Sequence, residues 1–211
     1  MKIKILLDSA TKQKLLSQNK SITLDWQNDI DKGVIIKNEG MGINLCYYAV
    51  FNEDNTFEYD TFGIEEREGN CVSVVLNQEN EICLLKEYRF MPDKYFLSCP
   101  RGFSDSQNEK RIDCALREVR EEVGDFRIID TVDLGNLYQN TTFFVKPIGV
   151  EVVKIEIDKK IEINEDQQSE DIIAVAFYKP NVIKRMINEG EIECLITLGA
   201  LLKYFSYVEN K

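Results

Sequence analysis

The sequence of 211 residues contains no histidine. This absence excludes catalytic triads and dyads that use an imidazole base, zinc sites with histidine ligands, and proton shuttling through imidazole. If the chain is an enzyme, proton transfer is left to carboxylates, lysine, tyrosine or a metal-bound water.

Basic residues are also scarce, since 26 Lys and Arg stand against 37 Asp and Glu and give a formal net charge of −11. Nucleic-acid affinity depends on clustered basic side chains that neutralise phosphates, so we expect no nucleic-acid partner. A ligand that carries phosphate would need a cation beside it.

Paired cysteines and long apolar runs are missing as well. The six cysteines are scattered without a Cys-x-x-Cys pair, and most lie in apolar runs, where buried thiols are common. We therefore expect a reducing, cytoplasmic environment. The apolar run at the start is too short for a signal peptide, and no segment is long enough to span a membrane, so we expect no membrane partner.

The residues that are present divide into two regions. Residues 1–67 hold short β-like runs separated by Asn, Asp and Gly, and they predict a β-rich N-terminal lobe. Residues 68–211 predict a larger domain with a hairpin, further strands, one long helix between strands and two closing helices. Short strands bury little apolar surface alone, so we expect residues 1–67 to mediate a homodimer.

The long helix contains the clearest chemical signal, in the stretch "ALREVREEVGD". Apolar residues recur at helical spacing, and Glu118 and Glu122 lie one turn apart beside that apolar stripe, with Glu121 between them. Taken alone, such a cluster is more often a solvated acidic face. However, these glutamates flank the stripe, and a strand ending in "CPRGF" precedes the helix. Carboxylates combined with a backbone carbonyl are the ligands that Mg²⁺ or Mn²⁺ prefers.

The longer stretch "RGFSDSQNEKRIDCALREVREEVGD" resembles the Nudix box, whose pattern is Gly, five residues, Glu, seven residues, then Arg-Glu-apolar-x-Glu-Glu-x-Gly-apolar. The fixed positions occur here in the same order, as Gly102, Glu109, Arg117, Glu118, Val119, Glu121, Glu122 and Gly124. The chain departs from the pattern twice: six residues separate the first glycine from the first glutamate, and Asp125 stands where an apolar residue is usual.

Within that family, residues 70–205 resemble the ADP-ribose pyrophosphatase branch, through "EICLLKEYRFMPDKYFLSCPRG" and the C-terminal strand and helix pair. The resemblance implies an α+β fold, a Nudix-type α/β/α sandwich with a mixed sheet, together with the β-rich N-terminal lobe that this branch uses to dimerise. Ser98 stands where an acidic residue is usual, and Arg101 where alanine is common.

The resemblance also implies a ligand set for the cation. Glu118 and Glu122 would bind Mg²⁺ or Mn²⁺ directly, with Glu121 at the ion or just behind it. A backbone carbonyl of Arg101 or Gly102 would add a further oxygen ligand.

Other residues would position these ligands or meet the substrate. Arg117 would hold a neighbouring glutamate in place, unless it forms only a surface ion pair. Glu109, a candidate substrate-binding residue, would orient the loop or the helix start, or act only as a first-turn glutamate favoured by the helix dipole. Arg89 would meet a phosphate and Tyr88 would stack on a base, unless both are structural.

The general base is expected in the acidic loop that precedes the last strand. Glu170 is the nearest match to the glutamate that related enzymes place there, whereas Gln168, two residues earlier, cannot accept a proton. The remaining candidates are Glu121, Glu165, Asp166 and Asp171.

Family members hydrolyse a nucleoside diphosphate linked to another moiety. The resemblance therefore implies a metal-dependent hydrolase of a small-molecule nucleoside diphosphate, with ADP-ribose or a related nucleotide sugar as the first candidate. One alternative is a catalytically weak Nudix-fold module that binds and senses a nucleotide, and another is a scaffold protein with an acidic helix and no ligand. The complete set of helix glutamates favours the hydrolase.

Overall fold

The computed structural model describes residues 3–6, 8–18, 34–38, 43–66, 69–106, 108–157, 163–169 and 171–211. The chain divides into two compact units. The first comprises Met1–Arg67 and Asn140–Lys146, and the second comprises Glu68–Gln139 and Pro147–Lys211.

The described residues of the first unit form a four-stranded antiparallel sheet and one helix. In chain order its elements are β1 (Ile3–Leu6), α1 (Ser9–Gln18), β2 (Val34–Asn38), β3 (Ile43–Phe51) and β4 (Phe57–Glu65). Strand β4 pairs along most of β3, while β1 and β2 pair with opposite ends of β3. Strand β3 is therefore the centre of this sheet.

Side-chain alternation along β3 builds the core of the first unit. Tyr47, Ala49 and Phe51 point to one face, where they pack with Phe57 and Phe62 of β4. The short segment 140–146 belongs to the same unit through a parallel bridge between residues 64 and 144.

The described residues of the second unit form a seven-stranded mixed sheet and four helices. Its elements are β5 (Cys71–Leu76), β6 (Ile82–Arg89), β7 (Lys94–Ser98), β8 (Arg101–Gly102), α2 (Arg111–Val123), β9 (Arg127–Leu137), β10 (Ile148–Glu156), α3 (Glu165–Ser169), β11 (Ile172–Tyr178), α4 (Pro180–Asn188) and α5 (Leu195–Glu209). The strand order is β11-β6-β5-β10-β9, with β7 added to β6 and β8 added to β5. The sheet is mixed because β10 runs parallel to β5.

Helices cover both faces of this sheet. Val74 of β5 belongs to the core that includes Ile183 of α4 and Leu201 of α5, whereas the next residue, Val75, belongs to the core that includes Val119 of α2. Every residue of β5 is buried, as its continuous apolar run predicts. The expected α+β class, an α/β/α sandwich with a mixed sheet, is confirmed.

Within the described part of the chain, no helix combines the length and the apolar character needed to cross a lipid bilayer.

Candidate active site

Helix α2 presents a glutamate on the face that packs against the sheet. Ala115, Val119 and Val123 are fully buried there, and Glu122 beside them is only 3% exposed. A carboxylate in such a place needs hydrogen-bond donors. The backbone N–H of Arg101 in β8 donates to Glu122 Oε2 at 2.9 Å, and this bond fixes the carboxylate to the strand.

Glu118 lies one turn earlier on α2 and contacts Gly102 of β8. A Cβ atom added to Gly102 would overlap the carboxyl carbon and both carboxyl oxygens of Glu118. Only glycine therefore leaves room for this carboxylate beside the main chain of β8. On its other side, Arg117 Nη1 donates to Glu118 Oε1 at 2.7 Å.

Arg117 is the centre of the hydrogen-bond network around these carboxylates. Besides its bond to Glu118, it donates from Nη1 to Glu121 at 3.1 Å, from Nε to Glu109 at 3.1 Å, and from Nη2 to the carbonyl of Phe103 at 2.8 Å. From the sequence, Arg117 was expected to hold one glutamate. In the structure it donates hydrogen bonds to three glutamates. Glu109 also accepts the backbone N–H of residue 105, so it ties the β8–α2 loop to the helix.

These contacts shift the pKa values of both partners in the ion pair. Burial by itself would lower the pKa of the Arg117 guanidinium, but its hydrogen bonds to Glu109 and Glu118 raise the pKa above its usual value. The same hydrogen bond lowers the pKa of Glu109, against a smaller opposing effect of burial. Both side chains are therefore held in their charged forms at neutral pH.

The donor atoms suit a hard divalent cation. Glu118 contacts β8 at Gly102, and Glu122 is fixed to Arg101, so their carboxyl oxygens border the same two residues of main chain, with Glu121 between them on α2. Such oxygen-only sets are the ligands of Mg²⁺ and Mn²⁺. Among the described residues, no three acidic or cysteine side chains converge on one point, and Arg117 donates hydrogen bonds to both Glu118 and Glu121.

The loop expected to supply the general base leads to the C-terminal end of α2. Gln167 of α3 is buried, and its side-chain amide donates to the backbone carbonyl of Glu122 at 2.9 Å. Glu165 and Asp171 on either side of it are exposed. Glu170 lies outside the described residues.

The two expected substrate contacts lie at the end of β6. Arg89 forms an ion pair with the buried carboxylate of Glu87. The Tyr88 hydroxyl donates to Asp93, and the Tyr88 ring packs edge-to-face on Tyr95 with ring centroids 5.4 Å apart. Both side chains therefore have structural partners. The Nε atom of Arg89 is buried and has no hydrogen bond.

Sequence reasoning missed two buried polar residues at this site. Glu87 continues the buried alternation of Cys83 and Leu85 along β6, so the strand pattern contained a signal that its side chain points inward. Gln167 gave no such signal, because it stands in a polar loop among similar residues. Its hydrogen bond to α2 depends on tertiary packing.

Comparison with known proteins identifies the class to which this geometry belongs. The family model described as NUDIX domain matches residues 67–196, which is more than half of the chain. The chain therefore belongs to the Nudix family, and the resemblance stated from the sequence is confirmed. Members of this family generally use divalent metal ions.

Solved structures include one described as the crystal structure of ADP compounds hydrolase. It is similar to this chain with a TM-score of 0.63 and 15% sequence identity, over 90% of this chain and 98% of that one. This likeness shows a shared fold. No curated protein matches the chain. The family supports hydrolysis of a diphosphate linkage in general.

Proposed function

We propose that this protein hydrolyses the pyrophosphate bond of a nucleoside diphosphate linked to another moiety, with ADP-ribose or a related nucleotide sugar as the first substrate to test. The observation that carries the proposal is the fixing of two helix glutamates to one short strand. Glu122 accepts a backbone N–H of β8, and Glu118 fills the space that the absent side chain of Gly102 leaves.

Glu118, Glu121 and Glu122 would hold Mg²⁺ or Mn²⁺, together with a backbone carbonyl of Arg101 or Gly102. A divalent cation bound there neutralises phosphate charge and lowers the pKa of the attacking water. A need for a cation is expected of this chain, because its net charge of −11 otherwise repels a diphosphate.

Arg117 has a positioning role in this proposal. Its guanidinium is planar and offers five donors, so it can hold several carboxylates at fixed angles at once. By donating to Glu109, Glu118 and Glu121, it fixes both the helix carboxylates and the loop that leads to them. The contacts of Arg117 thus favour positioning over a surface ion pair.

Proton transfer is assigned to the loop beside α3. We propose Glu170 as the acceptor of the proton from the attacking water, with Glu121, Glu165, Asp166 and Asp171 as the alternatives. Gln167 supports this assignment, because its bond to the carbonyl of Glu122 joins the loop to the helix that bears the cation ligands.

Substrate binding is assigned to the end of β6. Arg89 would contact a phosphate oxygen, since its side chain is 38% exposed and a guanidinium offers several N–H donors to phosphate. Tyr88 would border the bound base. Glu109 would act on the substrate through the loop that it orients.

The test is product release from a panel of nucleoside diphosphate compounds, with Mg²⁺, with Mn²⁺ and with a chelator, followed by chromatography of the nucleotides. We expect two monophosphates from ADP-ribose or a nucleotide sugar, only when the cation is present. Tight binding of such compounds without product would support the sensor alternative, and neither binding nor product would support the scaffold.

We also propose a cytoplasmic homodimer that acts on small molecules. None of the six cysteines forms a disulfide, although the sulfur atoms of Cys71 and Cys114 lie only 3.5 Å apart. Two thiols at this distance that form a hydrogen bond and no disulfide favour a reducing compartment. Residues 1–67 are proposed as the dimerisation lobe.

A further inference from the structure

Two cysteines face each other between a strand and a helix of the second unit. Cys71 is the first residue of β5, Cys114 lies in the first half of α2, and both side chains are fully buried. Their sulfur atoms are 3.5 Å apart, within hydrogen-bond distance. Together with Ala115 they form a small core of their own. The proposed function gives this thiol pair no role.

The thiol pair lies beside two residues of the candidate active site. Cys71 is the partner of Gly102 in the pairing of β5 with β8, and the sulfur of Cys114 lies 4.0 Å from the carbonyl oxygen of Gly102. Glu118 follows Cys114 by four residues, so the two side chains share one face of α2. Glu118 in turn contacts Gly102. One turn of helix therefore joins the thiol pair to the contact between the helix carboxylate and β8.

We propose that Cys71 and Cys114 are a modification site, at which a peroxide forms a disulfide that weakens cation binding. The two thiols are already in contact, which is the arrangement that a disulfide needs before it can form. In a reducing compartment they stay as thiols, and they change state when peroxide accumulates. The effect on the cation rests on the proposed function, whereas formation of the disulfide does not.

The reaction consumes both thiols and one molecule of hydrogen peroxide. The sulfur of one cysteine attacks a peroxide oxygen, the O–O bond breaks, and a sulfenic acid and water form. The sulfur of the other cysteine then attacks the sulfenic sulfur, the S–O bond breaks, and the hydroxyl group leaves with the thiol proton as water. Each sulfur loses one electron, and the peroxide is reduced to two molecules of water.

Closing the disulfide needs a movement for which the candidate active site has no spare room. A disulfide is about 2.0 Å long, so the two sulfur atoms must approach by about 1.5 Å. Neither side chain has exposed surface, and close-packed interiors transmit such movements. The approach draws α2 towards β5 and β8, yet the carboxylate of Glu118 already fills the space beside Gly102. The disulfide therefore displaces this carboxylate. Arg117 donates to it and lies 3.6 Å from the Cys114 sulfur, so it is displaced as well.

The experiment treats the full chain with hydrogen peroxide in the presence of a chelator and then removes both reagents. Mass spectrometry of a protease digest detects a cross-linked peptide that contains residues 71 and 114 and that dithiothreitol separates. Titration with Mn²⁺, read by electron paramagnetic resonance, measures cation affinity before oxidation, after oxidation and after reduction.

We expect this cross-link, together with a loss of cation affinity of at least about tenfold, the size typical when residues that support metal ligands are disturbed. Dithiothreitol should restore the affinity. Oxidation of other thiols of the chain without the cross-link would overturn the proposal. A cross-link that leaves the affinity of a cation-binding protein unchanged would overturn it too.

Cys71→Ala and Cys83→Ala are the matched variants. Both remove a fully buried sulfur from a strand, and Cys83 also belongs to a core that includes Val119 of α2. Cys71→Ala should keep its cation affinity after peroxide treatment, whereas Cys83→Ala should lose it as the wild type does. Cys114→Ala removes the other thiol of the pair and repeats the test if Cys71→Ala does not fold. Losses equal to that of the wild type in these two pair variants would contradict the proposal.

Protection by a cation provides a test that needs no variant. Because both thiols are buried, peroxide reaches them only when the contact between α2 and β5 opens briefly. A cation that binds only the closed arrangement, at ten times its dissociation constant, lowers the open population about tenfold. Mg²⁺ at that concentration should therefore slow formation of the cross-link about tenfold. Cys46, buried in the first unit, is the internal control, and its oxidation should not respond to Mg²⁺. Equal rates of cross-linking with and without Mg²⁺ would oppose the proposal.

Failure of this proposal can be distinguished from failure of the proposed function. If the cross-link forms but the reduced protein binds no Mn²⁺ and hydrolyses no compound, the disulfide is supported and the proposed function is rejected. If the reduced protein binds Mn²⁺ and releases product but forms no cross-link, only the thiol pair is rejected.

Discussion

Gly102 and Glu118 share a space that holds only one side chain. The carboxyl group of Glu118 occupies the volume that a Cβ atom on residue 102 would need. Glycine is therefore required here because of its missing side chain, and the position of a helix carboxylate depends on a strand residue that is distant in sequence.

We predict that Gly102→Ala displaces the Glu118 carboxylate and lowers turnover by about 10²-fold, the usual effect of a small misplacement of a catalytic group. Steady-state kinetics with saturating Mg²⁺ would measure the loss. In the double variant with Glu118→Ala, the added methyl group should cause no further loss, because the displaced group is already gone. If the losses of turnover in the two single variants add up in the double variant, Gly102 does not act through the carboxylate of Glu118.

We predict that Glu122→Gln loses cation binding and activity together. The amide oxygen still accepts the backbone N–H of Arg101, so the fold should persist, but the charge that a hard cation needs is absent. Cation affinity should fall by at least the roughly 10–100-fold typical of residues that only support metal ligands. Titration with Mn²⁺, read by electron paramagnetic resonance, measures this affinity without activity.

Glu189→Gln is the matched control for that variant. Glu189 is exposed at the end of α4 and pairs only loosely with Arg185, at 3.8 Å. The Glu189→Gln variant should bind the cation and turn over substrate like the wild type. Normal turnover of Glu122→Gln at limiting Mg²⁺ would contradict the metal site on α2.

We predict a pH-dependent contribution of Glu109 to stability. Its hydrogen bond with Arg117 lowers the pKa of Glu109 below 4.5, so the folded state favours the charged carboxylate. The contribution is therefore fully present above pH 4.5 and is lost as the pH falls through the lowered pKa. Glu109→Gln should melt about 2–4 °C below the wild type at pH 7. This difference in melting temperature should disappear in acid.

Calorimetric melts of both proteins between pH 3 and pH 7 would check this dependence. A difference in melting temperature that persists at pH 3 would mean that the substitution removes packing and not a charge interaction.

We predict that Glu170→Gln lowers turnover by about 10²–10⁴-fold, the usual size of general base catalysis, and leaves cation affinity nearly unchanged. Activity should recover in part at raised pH, because bulk hydroxide replaces a missing base but not a missing metal ligand. Glu189→Gln, at an exposed glutamate outside the acidic segment, is the control and should keep its activity. Loss of the cation in Glu170→Gln would place Glu170 among the ligands, and no effect would move the role of base to another carboxylate.

We predict a homodimer that residues 1–67 mediate. In the described part of the first unit the sheet has four strands, and β1 and β2 are four and five residues long, so we expect a partner to complete the burial of its apolar face. Light scattering at micromolar concentration should report twice the mass of the chain. A monomer under these conditions would contradict the prediction.

Local pattern was enough to predict the elements that hold the candidate cation ligands. The helical spacing of Ala115, Val119 and Val123 predicts both α2 and its buried face, and that face places Glu122 at the sheet. The continuous apolar run of β5 predicts a strand that is buried on both sides. These features depend on neighbours within a few residues, which the sequence displays directly.

The contacts between β6, β7 and Arg101 could not be predicted in the same way. The pairing of Glu87 with Phe96, and of Leu85 with Ser98, follows from the register between β6 and β7, which is fixed by the whole sheet. The proximity of Arg101 to Glu87 and Cys194 also joins three distant parts of the chain. Such contacts are set by tertiary packing and leave no periodic signal.

The membership of residues 140–146 in the first unit has a consequence for the order in which the protein is made. Ile64 donates its N–H to the carbonyl of residue 143 and accepts the N–H of residue 145, so the first unit lacks these bonds until the chain has been synthesised past residue 146. Although it is encoded first, this unit is completed only after most strands of the second unit have left the ribosome. A cut after residue 67 would likewise separate this segment from its hydrogen-bonding partners.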